Sequence, residues 1–94
     1  MKTAEKYIKV FTDSNDGKPT GYSTGRDEAS LNVVRRQVEY CTRDAASFVA
    51  LSRGLHDAIN SLSDFGFKAV SLNIEQDKKG RLRYHVEFLY NEET

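Results

Sequence analysis

The chain reads as an α+β domain, and three patterns in its 94 residues predict it. Apolar side chains recur at three- and four-residue spacing through the middle: Leu31, Val34, Val38, Cys41, Ala45, Phe48, Leu55, Ile59 and Leu62. Those positions share one face of an α-helix, because each step returns close to the same angle. After Gly66 the period changes to two, and a shorter twofold alternation precedes the helical stretch. The expected architecture is one N-terminal strand or two, one long central helix, straight or kinked, and a C-terminal β-hairpin. The helix is expected to cover a small antiparallel sheet as a single domain.

The first strand is expected over residues 7–11, where Ile8 and Val10 take one face and Tyr7, Lys9 and Phe11 the other. Residues 12–26 collect Asp, Asn, Ser, Gly, Pro and Thr, with Asp16-Gly17 a turn signal. A short second strand over residues 20–24 can pair back on the first. Thr24 or Asp27 can supply the N-cap oxygen of the helix, and Asp27 and Glu28 place negative charge where its dipole favours it. No proline falls between Asp27 and Gly66. Ser52 alone interrupts the apolar series, and Leu51 beside it covers the gap. Gly66 suits the left-handed C′ position that closes a helix.

An unbroken helix over residues 27–65 would run about 57 Å at 1.5 Å per residue. Two alternatives compete with it. The chain can turn near Thr42-Arg43-Asp44, where Thr42 and Asp44 are good caps for a second helix, or residues 31–40 can form a strand, since Val33, Val34 and Val38 are β-branched. Beyond Gly66, Val70, Leu72 and Ile74 alternate with Ser71, Asn73 and Glu75. Asp77-Lys78-Lys79-Gly80 is a turn, and Leu82, Tyr84, Val86, Phe88 and Tyr90 then oppose Arg83, His85, Glu87 and Leu89. A hairpin spans only about 25 Å at about 3.3 Å per residue, so the long helix would overhang the sheet. Covering the overhang predicts a homodimer whose seam is Leu31, Val34, Val38, Cys41 and Phe48; the competing expectation is a bent helix that packs on itself, with Gly54 the weak point for the bend.

Composition narrows the function. Fourteen basic and fourteen acidic side chains cancel, so the chain lacks the global positive field of a non-specific nucleic-acid or membrane-surface binder. A single cysteine excludes an internal disulfide, and Cys41 sits on the apolar stripe. No segment has the continuous apolar length of a signal peptide or a membrane span, so the expected location is cytoplasmic.

Catalysis needs a constellation, and none is evident. His56 and His85 lack the spacing of a metal site, His56 and Asp57 point about 100° apart on a helix, and no G-x-S-x-G elbow occurs. Asp77-Lys78-Lys79 lies in a turn, without the strand-borne acidic ligands of a nuclease site. The glycine-rich segment from Gly17 to Arg26 feeds a helix N-terminus, but it lacks G-x-x-x-x-G-K-[ST], and Pro19 removes an amide donor. No cofactor, metal or catalytic residue is expected, and the protein is not expected to be an enzyme.

Two binding classes remain. The first is a protein-binding module, a small inhibitor, adaptor or accessory factor of the motif-poor kind common among phage and mobile-element proteins. Its anchors would be Tyr22 in the loop and Tyr40, about 200° from Val38 on the helix, since tyrosine suits interfaces. The alternative is a nucleic-acid binder that uses Lys78, Lys79, Arg81, Arg83 and Tyr84 of the C-terminal hairpin to track phosphates and stack on a base.

Overall fold

A computed structural model describes the backbone of residues 3–12, 19–24 and 28–93 and the side chains of residues 5–12, 19–24 and 28–90. Six elements follow in order: β1 (Thr3–Thr12), β2 (Pro19–Ser23), α1 (Glu28–Thr42), α2 (Phe48–Ser63), β3 (Lys68–Gln76) and β4 (Leu82–Glu93). The four strands form one antiparallel sheet in the order β2-β1-β4-β3. The chain's first and last strands are therefore the central pair.

The single long helix is corrected: the chain breaks it into two helices at residues 43–47. The N-cap of the second is Ser47, whose hydroxyl oxygen accepts from the Ala50 N–H at 3.1 Å. At the end of the first, the Thr42 hydroxyl donates back to the Val38 carbonyl at 2.8 Å. Apolar spacing does not distinguish the two outcomes, because a stripe that repeats every three or four residues continues across a short link. Burial decides it. Two short helices lay both halves of the stripe on one sheet, whereas one long rod leaves half uncovered. The strand alternative for residues 31–40 is likewise replaced by helix.

Gly54 is not the bend. It lies where α2 crosses α1, with its Cα against the carbonyl of Cys41 and the backbone of Thr42, so any side chain there would strike the main chain. The α2 helix ends at Ser63 with Asp64 as its C-cap, and the turn that follows passes through Gly66, with φ of +89°. The Gly66 N–H donates to the Ser63 carbonyl and the Phe67 N–H to the Leu62 carbonyl, which occupies carbonyls the helix leaves open.

The core lies between the helices and one face of the sheet. Ile8, Val10, Val86 and Phe88 point into it from the central strands, and Val34, Val38, Leu55 and Leu62 from the helices, each at most 1% exposed. Phe67 and Tyr90 pack ring against ring at 5.2 Å. Fully burying each large apolar side chain is worth about 1.5–3 kcal/mol, which makes this layer the main source of stability. The α1 helix packs over β2 and β1, and α2 over β3. Both helices lie on the same side of the sheet, and the opposite face carries no helix among the described residues.

Candidate binding surface

Strand alternation sends Tyr7, Lys9 and Phe11 of β1, and Arg83, His85, Glu87 and Leu89 of β4, to the face away from the core. Pairing then sets the neighbours. Phe11 lies between Thr20 of β2 and His85 of β4, and Lys9 lies between Tyr22 and Glu87. The Phe11 ring meets Tyr22 edge-on at 6.4 Å and His85 edge-on at 6.0 Å. Such T-shaped contacts place a positive ring edge on a negative face. The result is a row of three rings across β2, β1 and β4, with Tyr22 54% exposed at its end.

Charges on this face are balanced. Lys9 and Glu87 form an ion pair at 3.8 Å, with each side chain about 30% exposed, so it orients more than it stabilises. Arg83 lies across from Glu75, whose carboxylate accepts from the Asn73 amide at 3.2 Å. Asn73, Glu75, Arg83 and His85 line a recess of about 230 Å³ beside the ring row. The ring row supplies flat apolar area, and the charged pairs supply orientation.

The structure separates the two expected anchors. Tyr22 belongs to the open sheet face, whereas Tyr40 is 71% exposed on the outer surface of α1, on the other side of the molecule. One flat partner cannot hold both. The expected dimer seam faces inward instead: Val34 and Val38 lie wholly inside the chain's own core, and Leu31 and Cys41 are half-buried against it. Phe48 remains exposed at the start of α2. Once the long helix is folded in two, the overhang that called for the seam no longer exists. Burial pushes the Cys41 thiol up from its ordinary range.

The basic hairpin is dispersed in the same way. Asp77 organises its turn, with one carboxylate oxygen accepting from the N–H groups of Lys79 at 2.9 Å and Arg81 at 2.8 Å. Its other oxygen accepts from Arg81 Nε at 2.8 Å. These bonds, the Arg81 backbone N–H foremost, hold the Asp77 carboxyl below its usual range and tie Arg81 to the turn. Lys78 and Lys79 stay exposed at the tip. Tyr84 faces the core at 6% exposure, and burial pushes its hydroxyl up to about 12, against the opposing effect of its bond with Thr42. A buried ring cannot stack on a base, and Arg83 points to the opposite face.

The other sequence candidates fall to structural roles or beyond the described residues. His56 Nδ1 sits 2.7 Å from the Ser52 carbonyl one turn back on α2. The Thr24 hydroxyl oxygen accepts from the Tyr7 N–H at 2.8 Å, so it secures β1 rather than capping α1. Asp27, the Asp16-Gly17 turn and residues 17, 18, 25 and 26 of the glycine-rich segment lie outside the described residues. Among the described residues, no three His, Cys, Asp or Glu side chains gather closely enough to hold a metal ion. Nor, among the described residues, is any helix long and apolar enough to cross a membrane.

Sequence reasoning placed Lys9 and Phe11 on one face of the first strand, and His85 and Glu87 on one face of the last, without bringing them together. The alternation in β1 and β4 carried that assignment. What was missing was the strand order, which makes the first and last strands neighbours and brings Thr12 and Tyr84, 72 residues apart, into contact.

No family model matches the chain, and no curated protein resembles it in sequence. The fold is similar to that of a solved structure, a conserved kinetoplastid-specific protein from Trypanosoma cruzi, with a TM-score of 0.56 at 11% identity. The match covers 92% of this chain and 94% of that one, so the likeness extends over the whole β-β-α-α-β-β order. It is a likeness of fold alone.

Proposed function

We propose that the protein is a non-catalytic protein-binding module, an inhibitor, adaptor or accessory factor, whose working surface is the open sheet face. The row formed by Tyr22, Phe11 and His85 carries this reading. A solvated sheet face ordinarily alternates to polar side chains, whereas this one sets rings side by side across three strands. Aromatic side chains bury large area at little entropic cost and anchor protein interfaces.

Charge favours a protein over a nucleic acid. Lys9 and Arg83 are matched on the same face by Glu87 and Glu75. A single-strand platform combines its rings with net positive charge along the phosphate track, and here the acidic residues cancel that field.

The test is affinity capture with purified protein under nuclease, comparing the natural sequence with Phe11→Ala/Tyr22→Ala and with Tyr40→Ala. The expected result is a stoichiometric protein retained by the natural sequence and by Tyr40→Ala, and lost with the double variant. Bands that vanish under nuclease, or that persist with the double variant, would overturn the reading.

A further inference from the structure

We infer that the outer edge of β3 is a self-association site, where a second copy of this chain pairs antiparallel across a twofold axis and extends the sheet from four strands to eight. The two sheet edges are unlike. The β2 edge is five residues long and begins with Pro19, which has no N–H to offer. The β3 edge is nine residues long, contains neither proline nor glycine, and leaves one side of its backbone without a strand partner among the described residues. Its irregularity is confined to the start, where the register shifts between Ala69 and Ser71. Residues 71–76 run regularly against β4 and present a continuous template.

An edge of backbone alone makes a weak interface, and this one has an apolar margin on its helix side. Leu72 and Ile74 are only partly buried under α2, and Val70 is 45% exposed. Phe65, just before the strand, is 74% exposed. Gly54 marks the side of α2 that meets α1, and Ile59, five residues on, lies about 140° round the helix, on the flank toward β3. Twofold pairing would bring these groups of each copy together across the axis.

Charge selects a second copy as the occupant. Lys68 stands at the start of the strand and Glu75 near its end, both exposed and both on the open side of the sheet. Antiparallel pairing about a twofold axis at Leu72, with the shift between Ala69 and Ser71 absorbing one residue, sets Lys68 of each copy against Glu75 of the other, so both contacts attract and the interface is self-complementary. Parallel pairing would oppose like charges. The patch lies at the small end of specific interfaces, so the dimer is reversible and dependent on concentration.

Sedimentation velocity from micromolar to millimolar concentration tests the inference, with thermal unfolding run alongside to show that each variant is folded. The natural chain is expected to move from monomer to dimer over that range. Lys68→Glu or Glu75→Lys alone, which places like charges together at both symmetric contacts, is expected to weaken dimerisation by about tenfold or more. The double exchange restores opposite charges and is expected to return within about threefold of the natural chain. A natural chain that stays monomeric at millimolar concentration would overturn the inference. So would a dimer indifferent to the single exchanges, or a double exchange that fails to rescue. The Phe11→Ala/Tyr22→Ala variant should dimerise normally, which keeps this result separate from the partner-binding reading.

Discussion

Replacing Gly54 by alanine tests the helix crossing that sets the whole upper layer. The added methyl would run into the Cys41 carbonyl oxygen while lying 3.1 Å from its carbon and 3.5 Å from Thr42 Cα. All three atoms belong to the main chain, so no side chain can turn aside. Relief requires α2 to retreat from α1 by about 1 Å, a gap at which facing atom pairs lose a quarter to a half of their attraction. Overpacking of this kind costs about 1–3 kcal/mol, with the unyielding backbone pointing to the upper part of that range. Alanine's better helix propensity returns about 1 kcal/mol. The net expectation is a loss of about 2 kcal/mol, or a fall in Tm of about 8–16 °C for a chain of this size. Thermal and urea unfolding measure it, with exposed Asn60→Ala on the same helix as the control expected to stay within about 0.5 kcal/mol. A Gly54→Ala chain as stable as the natural one would refute the close crossing, and with it the placement of α2 over β3.

Three further outcomes follow from titrating groups and the thiol. Tyr84 is pushed up to about 12 when folded, against about 10 when unfolded, so its contribution is complete below pH 10. It declines as pH rises through 12, by about 2–3 kcal/mol in all. Absorbance titration should show a late-ionising phase whose amplitude falls by one tyrosine in Tyr84→Phe, and an amplitude unchanged by the substitution would contradict the assignment. Asp77 titrates below its ordinary range, so its stabilisation of the hairpin turn is present above pH 4 and lost as pH falls through the folded value. Asp77→Asn should therefore lower Tm at neutral pH and flatten its acid dependence below pH 4, and an unchanged acid profile would count against the turn's carboxylate. Cys41 is half-buried with its thiol pushed up, so a disulfide reagent at pH 8 should label it at least tenfold more slowly than free cysteine. Labelling at the rate of free cysteine would mean that α1 does not hold it against the core.

The local pattern of this chain determined which residues turn inward. Alternation separated Ile8 and Val10 from Tyr7, Lys9 and Phe11, and Val86 and Phe88 from His85 and Glu87, because successive strand residues point to opposite sides whatever the fold. The helical stripe named Val34, Val38, Leu55 and Leu62 in the same way, and Gly66 marked the left-handed turn beyond the second helix, which itself stops earlier, at Ser63. The stripe did not reveal its own interruption. A three- and four-residue spacing is equally served by one helix or two, and choosing between them requires knowing what area the sheet offers to cover. Nor could the open face be assembled from sequence, since Phe11 meets His85 only because the first and last strands pair at the centre of the sheet. The same tertiary pairing buried Tyr84, placed Tyr22 and Tyr40 on opposite sides, and left β3 as the longer free edge. Periodicity is a property of neighbouring residues and is written in the chain, whereas adjacency of distant strands depends on the total area that folding can bury.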